Sequence, residues 1–256
     1  MFESEDKIIE KERFDTRAIY LLENDKFNIQ SYGSLAMPLP LRSPYLYYEQ
    51  KIKELIKPEY KVLEIGSGTG LHTYSLIKTG AIVTATDISS NSLKVLEKNL
   101  SKVEGGGRLK TMVADMEKLP FKNESFDMVT SAGSLSYGEA KKVDSEIRRV
   151  IKPGGFFICV DSLNNNPIYR SNRYINYLAN KRSKITILNM PTIDRLDALK
   201  NLYKSVDVIF FGSISCLMPF IKIITGIENA KKISDFVDKL FCVKKSAFKF
   251  VLTAKA

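Results

Sequence analysis

The sequence predicts an α/β fold in which a parallel, doubly wound sheet has helices on both faces. Short apolar segments alternate with helical patterns from Lys61 onwards, and a glycine-rich turn follows the first of these segments. The chain has 256 residues, which suits one such domain with additional segments. Apolar residues make up 44% of the chain, which allows an ordinary packed core and argues against disorder.

The alternation is clearest between residues 61 and 161. Apolar or β-branched segments predict strands at 61–65, 81–86, 109–114, 126–131 and 156–160. Helical patterns occur at 71–78, 92–100 and 143–151. Gly80 closes the first helix, Ser89, Ser90 or Asn91 can cap the second, and the run from Pro153 to Gly155 stops the third. After Asp161 the alternation lapses, and two further strands are predicted at 206–211 and 247–254.

The remaining segments are interpreted as additions to this core. Residues 1–60 predict an N-terminal helical cap or lid, and residues 61–256 the core with helical insertions at about 162–203 and 216–242. The prolines between positions 38 and 44 are expected to break helical structure before a helix at 45–56. Tyr45, Tyr47 and Tyr48 predict an aromatic wall over a ligand or, as the commoner arrangement, a stripe facing the core.

Composition excludes several classes of protein. No apolar run approaches the ~18 residues of a membrane span, and the charged start has no apolar signal-peptide core, so a cytoplasmic location is expected. Cys159, Cys216 and Cys242 lie far apart without metal-ligand spacing, which favours reduced thiols. No metal is therefore expected.

The net charge of +10 allows two interpretations. A polyanionic partner such as RNA or an acidic membrane would use it, and so would a surface on which lysines are merely dispersed. The lysines are spread along the chain without a long basic run, which favours the second interpretation. We therefore expect a small-molecule partner and no membrane partner, and a nucleic-acid partner is disfavoured.

The strongest candidate for a binding site is the turn Gly66-Ser67-Gly68-Thr69-Gly70, between the first strand and its helix. Glycines there let a ligand approach the backbone closely, and the helix N-terminus presents free N–H groups. The spacing is G-x-G-x-G, with Leu71 where the dinucleotide fingerprint G-x-G-x-x-G has glycine. This difference argues against a pyrophosphate and suits a ligand without phosphates.

Two carboxylates follow this turn, at the ends of the next two predicted strands. Asp87 ends the second strand and can accept hydrogen bonds from both hydroxyls of a ribose. Asp115 ends the third strand and can accept one from an adenine amino group, with Met116 against the ring. Either aspartate alone fits an exposed strand end, but together, behind a glycine turn, they predict an adenosine site.

These residues carry a resemblance to a known family. The segments VLEIGSGTG, TATDIS, ADMEKLPFKNESFDMV and IRRVIKPGGFF are similar to class I methyltransferases that use S-adenosylmethionine (SAM) and release S-adenosylhomocysteine. The resemblance implies a Rossmann-like, seven-stranded, mostly parallel sheet with an antiparallel last strand. The cofactor-binding residues expected from the motifs and the resemblance are Glu64, Gly66, Ser67, Gly68, Gly70, His72, Asp87, Ile88, Asp115, Met116 and Ser131. The segments RSPYLYYEQ, SAGSLSYGE and VDSLNNNPIYRSNR also look like methyltransferases of bacterial surface-polysaccharide gene clusters.

The acceptor is expected above the ends of the fourth and fifth strands. Tyr137 can orient or deprotonate an acceptor hydroxyl, or simply cap the rim, and Asp161 is either a base or a turn residue. His72, the only histidine, favours a place beside the cofactor or in the packing. Arg170 and Arg173, three positions apart, can bind a phosphate or form salt bridges, and Tyr169 lies beside them.

The sequence thus predicts an enzyme that transfers a methyl group from SAM to a small polar acceptor. A hydroxyl of a sugar, a nucleotide-linked sugar or a phosphorylated precursor of surface polysaccharide is favoured. Two alternatives stay open. RNA methylation is supported only by the +10 charge and predicts strong salt dependence of RNA binding. A catalytically inert SAM-binding protein predicts binding without turnover.

Overall fold

A seven-stranded sheet forms the centre of the molecule, a computed structural model that describes residues 5–24, 32–101, 103, 108–179, 183–241 and 243–256. The strand order is β3-β2-β1-β4-β5-β7-β6, and β7 runs antiparallel to both of its neighbours while the other pairs are parallel. This confirms the predicted Rossmann-like, mostly parallel sheet with an antiparallel last strand. The strands are β1 (Lys61–Ile65), β2 (Ile82–Asp87), β3 (Leu109–Val113), β4 (Phe126–Ala132), β5 (Ile151–Ser162), β6 (Ser205–Phe211) and β7 (Lys249–Lys255).

Helices surround the sheet and fill the segments that the sequence assigns to additions. They are α1 (Glu5–Glu23), α2 (Arg42–Leu55), α3 (Thr73–Ile77), α4 (Ser90–Leu100), α5 (Ala140–Val150), α6 (Pro167–Leu178), α7 (Lys184–Leu188), α8 (Ile193–Leu199), α9 (Met218–Thr225) and α10 (Ile227–Leu240). Within the part of the chain described, no helix combines the length and apolar character needed to cross a bilayer. The Ser89 hydroxyl accepts the Ser92 N–H, so Ser89 is the one of the three candidate residues that caps α4.

The core has two layers because the central strands bury both faces. Val62 of β1 packs with α2, α3 and α4, whereas the adjacent Leu63 packs with α5 and α8 on the other face. Such strands form continuous apolar runs rather than alternating ones. Tyr45 and Tyr48 belong to the first layer, and Tyr48 is completely buried. For these two tyrosines the core-facing interpretation is therefore confirmed.

Two local predictions were wrong. Pro44 lies inside α2 rather than ending helical structure, since α2 begins at Arg42. Proline is tolerated in the first turn of a helix because the N–H groups there have no partner within the helix. The segment Pro153 to Gly155 was expected to precede a strand, but it lies within β5. The register with β4 shifts there: Ile151 pairs with Phe126 and Phe156 with Met128.

We expect Gly155→Ala to destabilise the fold far more than Gly154→Ala. A Cβ at Gly155 would lie 2.6 Å from the carbonyl oxygen of Asp127, a backbone atom that cannot rotate away. At Gly154 the same Cβ meets nothing within 4 Å, and only its φ of +78° opposes a side chain. The expected losses in the free energy of unfolding are about 2–4 kcal/mol for Gly155→Ala and about 1 kcal/mol for Gly154→Ala.

Urea unfolding of the two variants measures this difference. Equal losses of unfolding free energy in the two variants would mean that the backbone shifts to accommodate the methyl group of Gly155→Ala. The contact with the Asp127 carbonyl oxygen of β4 would then not be limiting.

Candidate active site

A cleft of about 300 Å³ opens at the carboxyl ends of β1, β2 and β4. The strand order reverses there, because β2 and β3 lie on one side of β1 and β4 lies on the other. Open α/β sheets bind their ligands at such a point. The predicted residues that line the cleft are Gly66, Ser67, Gly68, His72, Asp87, Ile88, Asp115, Met116 and Tyr137.

Gly66 and Gly68 line the floor of the cleft, and they and the nearby Gly70 each have a positive φ. A Cβ on Gly66 would lie 2.3 Å from that of Ser134, and one on Gly70 would lie 2.8 Å from Leu96, so these two positions are constrained by packing. A Cβ on Gly68 would meet nothing within 4 Å, which makes Gly68 the open position of the turn. Gly70 does not itself line the cleft.

Asp87 connects the glycine turn to β2. Its Oδ2 accepts the Gly68 N–H at 2.9 Å and its Oδ1 accepts the Ser89 N–H at 2.9 Å. Burial raises the pKa of this carboxyl, and the two backbone hydrogen bonds oppose the rise. A carboxylate offers about four acceptor sites, so Asp87 retains capacity for two further donors such as ribose hydroxyls.

Asp115 lies on the next strand end and takes part in an ion pair that the sequence did not indicate. Lys7 of α1 places its Nζ 2.6 Å from Asp115 Oδ2 and 2.8 Å from Glu117 Oε2. Burial lowers the pKa of Lys7, but hydrogen bonds to these two carboxylates outweigh it, and the net shift is upward. The same carboxylate also accepts the Glu117 N–H through Oδ1. Asp115 therefore joins the rim of the sheet to α1.

One face of α1 forms a wall of the cleft. Lys7, Glu10, Phe14 and Arg17 all line it, at spacings of three and four residues that place them on the same side of a helix. Phe14 meets the Tyr137 ring edge-on at 5.3 Å. The predicted cap, residues 1–60, includes these four residues, but none of them was predicted as a site residue; their helical periodicity was the one available signal.

Glu64 lies beneath the turn and does not line the cleft. Its Oε2 accepts the Thr73 hydroxyl at 2.5 Å. The pKa of Glu64 is raised to about 8, because burial and, to a smaller extent, the nearby Asp87 raise it more than the Thr73 hydrogen bond lowers it. Glu64 thus lies under the turn, and its contact with the cofactor stays a prediction.

His72 stacks on the Tyr45 ring with centroids 4.9 Å apart. Burial, and then the charge of Lys249, lower the pKa of His72 to about 4, so its imidazole is neutral near pH 7. Its Nδ1 is buried and has no hydrogen-bond partner among the residues described, and the same is true of Ser67 Oγ. Both side chains line the cleft.

The end of β4 is tied to its neighbours by hydroxyl groups. Ser131 Oγ and Ser134 Oγ lie 2.7 Å apart, and Ser134 Oγ donates to the carbonyl of Ile65 at 3.0 Å. Ser131, predicted to contact the cofactor, is completely buried behind Ser134, and it is Ser134 that lines the cleft. The serine pair therefore holds the β1 and β4 ends together.

Asp161 lies outside the lining of the cleft, contrary to the expectation that its carboxylate faces the acceptor. It is buried and accepts the Leu135 N–H at 3.0 Å and the Ser162 N–H at 2.6 Å. Burial raises its pKa, and Lys249 opposes the rise. Leu135 begins the short 3₁₀ turn that ends at Tyr137. Asp161 thus anchors the segment that presents Tyr137 to the cleft.

The three predicted substrate residues lie on α6, and none of them lines the cleft. Arg170 is exposed, whereas Arg173 is buried. The two arginines therefore lie in different environments, although the sequence suggested a common role. Arg173 donates to the Leu163 carbonyl at 2.8 Å and to Asn164 Oδ1 at 2.9 Å. Its guanidinium also lies over the Tyr169 ring, 5.9 Å from the ring centroid. This arrangement connects α6 to the end of β5.

Metal ligands do not cluster in the described ranges: no group of three or more His, Cys, Asp or Glu side chains there could hold an ion. Cys159 is buried and Cys216 is partly buried, and both are free thiols, as the sequence indicates. Burial raises the pKa of the Cys159 thiol well above its usual range. Cys242 lies outside the described residues.

Comparison with known proteins agrees with this geometry. Residues 63–159 match the family described as "Methyltransferase domain". This segment is a class I methyltransferase domain. It contains the glycine turn, Asp87, Asp115 and Tyr137, and the resemblance stated from the motifs is confirmed.

Two relatives with a named methyltransferase activity match about half of the chain or less. Sterol 4-C-methyltransferase of Caenorhabditis elegans is 30% identical over 134 residues, which are 52% of this chain and 40% of that protein. Demethylmenaquinone methyltransferase of Clavibacter sepedonicus is 38% identical over 112 residues, 43% of this chain and 44% of that protein. The chain therefore spans less than half the length of these relatives.

Solved structures share the fold. Phosphoethanolamine N-methyltransferase 2 of Haemonchus contortus, with S-adenosylhomocysteine and phosphomonomethylethanolamine, has a TM-score of 0.58 at 17% identity, covering 83% of this chain and 52% of that one. Geranyl diphosphate C-methyltransferase of Streptomyces coelicolor has a TM-score of 0.58 at 17% identity, covering 87% and 81%. Both hold S-adenosylhomocysteine, so the predicted cofactor is confirmed as that of the domain family.

We expect Glu64→Gln to flatten the pH dependence of stability. Glu64 has a pKa of about 8 in the folded protein, above the ~4.3 of an unfolded chain. The folded state therefore holds a proton that the unfolded state has lost, and this stabilisation disappears as pH rises from about 4.3 to about 8. The wild-type chain should lose about 1–4 kcal/mol more than the variant over this range.

Urea unfolding at pH 5 and at pH 8.5 measures the effect, with the exposed Glu228→Gln as control. Parallel pH profiles for wild type and Glu64→Gln would show that Glu64 is already ionised in the folded chain.

Proposed function

We propose that this chain transfers a methyl group from SAM to a small acceptor. The observation that carries the proposal is the convergence of three strand ends on one cleft. The glycine turn follows β1, Asp87 ends β2, and Asp115 follows β3, and all three line the same space. The domain match over residues 63–159 supports it.

The residues present fit this cofactor. Gly68 leaves its Cβ direction open, and Ser67 Oγ and His72 Nδ1 are buried in the cleft lining without partners among the described residues. The glycine turn would hold the amino-acid portion, Asp87 the ribose hydroxyls, and Asp115 with Met116 the adenine. When bound, SAM supplies a methyl group activated on a sulfonium.

The chain's own residues would align the acceptor and keep water away. Phe14 and Tyr137 lie together at the cleft wall, and α1 crosses it as the proposed lid. Exclusion of water strengthens the electrostatic interactions within a site. We assign to the Tyr137 phenol the role of orienting an acceptor hydroxyl or holding its proton. We treat Asp161, which accepts the Leu135 N–H, as a positioning residue for this segment.

For the acceptor we propose a hydroxyl of a sugar, a nucleotide-linked sugar or a phosphorylated precursor of surface polysaccharide. Arg17 at the exposed edge of the cleft supports an acidic acceptor. Exposed Arg170 supports it only if the acceptor extends beyond the cleft. A second acceptor class, a carbon atom of an isoprenoid or quinone-like molecule, is favoured by the sterol and demethylmenaquinone relatives.

The purified chain should release S-adenosylhomocysteine when incubated with SAM and the right acceptor. A panel of nucleotide sugars, sugar phosphates, quinone precursors and prenyl diphosphates separates the two acceptor classes. With the acceptor identified, Tyr137→Phe should lower kcat at saturating SAM and leave the Kd of SAM unchanged. SAM binding without product from any acceptor would favour a non-methylating role; a [4+2]-cyclase shares this fold at a TM-score of 0.56 and 16% identity.

We expect Asp87→Asn to weaken SAM binding about ten- to hundredfold, because hydrogen bonds to a charged acceptor are worth about 1.5–3 kcal/mol. Asp127→Asn is the matched control. Asp127 lies at the opposite end of β4 and accepts the Lys61 N–H at 2.9 Å and Lys152 Nζ at 2.7 Å.

Isothermal titration calorimetry gives both Kd values, and thermal melting shows that both variants are folded. Wild-type affinity in a folded Asp87→Asn variant would remove Asp87 from the cofactor site.

A further inference from the structure

Helices α9 and α10 expose an unusual series of large apolar side chains. Phe220, Ile223 and Ile224 of α9 are 69%, 78% and 85% exposed. Gly226 joins the two helices, which contact each other, and the series continues on α10 and just beyond it. We call this the α9–α10 surface; its members are Phe220, Ile223, Ile224, Ile227, Ile233, Phe236, Leu240, Phe241 and Val243. Single exposed apolar residues are ordinary, but a continuous group marks an interaction site.

Helix α10 has one buried face and a second face with exposed apolar side chains. Ala230 and Ser234 are buried and face the rest of the protein. Ile233, Phe236 and Leu240, spaced by three and four residues, lie on another face and are exposed. The core therefore accounts for one side of the helix, and the apolar residues of the second side stay 37–61% exposed.

Positive charge borders this surface. Lys222, Lys232, Lys239, Lys244 and Lys245 are exposed along the same segment. Lys232 and Lys239 each precede a member of the surface by one residue, about 100° around the helix.

The nearby acidic groups are largely occupied. Asp235 pairs with Lys231 at 2.5 Å, and Asp238 accepts the N–H groups of Gly212 and Ser213. Glu228 is the one exposed acidic residue of the described part of 215–246. The apolar surface is thus surrounded by a net positive rim.

We propose that the α9–α10 surface docks on the headgroup region of an anionic lipid bilayer. A helix pair with protruding apolar side chains and lysines beside them matches an interfacial helix, whose apolar face enters the acyl boundary while its lysines meet anionic headgroups. Such docking requires no membrane span, so it is compatible with helices too short or too polar to cross a bilayer. The prediction of no membrane partner rested on the lack of a spanning segment and of a long basic run. Two adjacent amphipathic helices need neither.

A lipid phase fits this surface better than a protein groove. Ile223 and Ile224 are consecutive, so they point in directions about 100° apart, yet both are almost fully exposed. A fluid phase covers such a ridge from several sides at once, whereas a groove in a partner must match its shape. The proposal concerns this surface alone and does not depend on methyl transfer.

Vesicle co-sedimentation with the full chain tests the proposal. We expect binding to vesicles of phosphatidylcholine mixed with phosphatidylserine, and weaker binding to phosphatidylcholine alone or at high salt. The triple variant Phe220→Ser, Ile223→Ser, Ile224→Ser should need at least about tenfold more lipid for half-maximal binding. A Lys222→Gln, Lys232→Gln, Lys239→Gln variant should lose the preference for phosphatidylserine.

The matched control replaces exposed apolar residues elsewhere, Leu35→Ser with Leu188→Ser, which are 61% and 70% exposed. It should bind vesicles as the wild type does, and thermal melting should show all variants folded. Equal vesicle binding by the wild type and the triple variant would overturn the proposal. The proposal would also be overturned if the wild type is a dimer in sedimentation velocity and does not bind vesicles, while the triple variant is a monomer. The surface would then be a contact between copies of this chain.

Discussion

The candidate site depends on one carboxylate, that of Asp87. It accepts one N–H group from the turn after β1 and one from the turn after β2. Through Gly68 it holds the open glycine of the first turn, and through Ser89 it holds the start of α4. The turn can lie there only because Gly66 and Gly70 leave room for Ser134 and Leu96. The residue assigned to the ribose therefore also shapes the floor of the cleft, which ties ligand binding to local structure.

Charge is distributed unevenly between the cleft and the rest of the molecule. The chain carries a net charge of +10, yet two aspartates, Asp87 and Asp115, lie at the strand ends that line the cleft. Lys7 neutralises part of this charge by bridging Asp115 and Glu117. An acidic cleft suits a cofactor whose reactive centre is a cation, while the basic exterior suits anionic surroundings.

Several segments of the chain lie outside the matched methyltransferase domain. The family match ends at residue 159, and everything that follows, together with α1, lies beyond it. α1 contributes a wall of the cleft, α6 is fastened to the end of β5 by Arg173, and α9 with α10 carries the exposed apolar surface. Acceptor choice and location are the properties that such peripheral segments can change without disturbing the shared sheet.

The sequence by itself determined the sheet, the glycine turn and the order of Asp87 and Asp115. Strand periodicity and turn chemistry depend on residues that are neighbours in the chain, so they can be recognised without the tertiary contacts. It did not determine which side chains face the cleft. Asp161 and Arg173 carry suitable chemistry but are buried, with hydrogen bonds to backbone N–H and carbonyl groups. Lys7 and Phe14 instead contact Asp115 and Tyr137, which are more than a hundred residues away in the chain. Only the tertiary structure decided these roles, since the packing of α1 and α6 on the sheet depends on long-range contacts that no local pattern encodes.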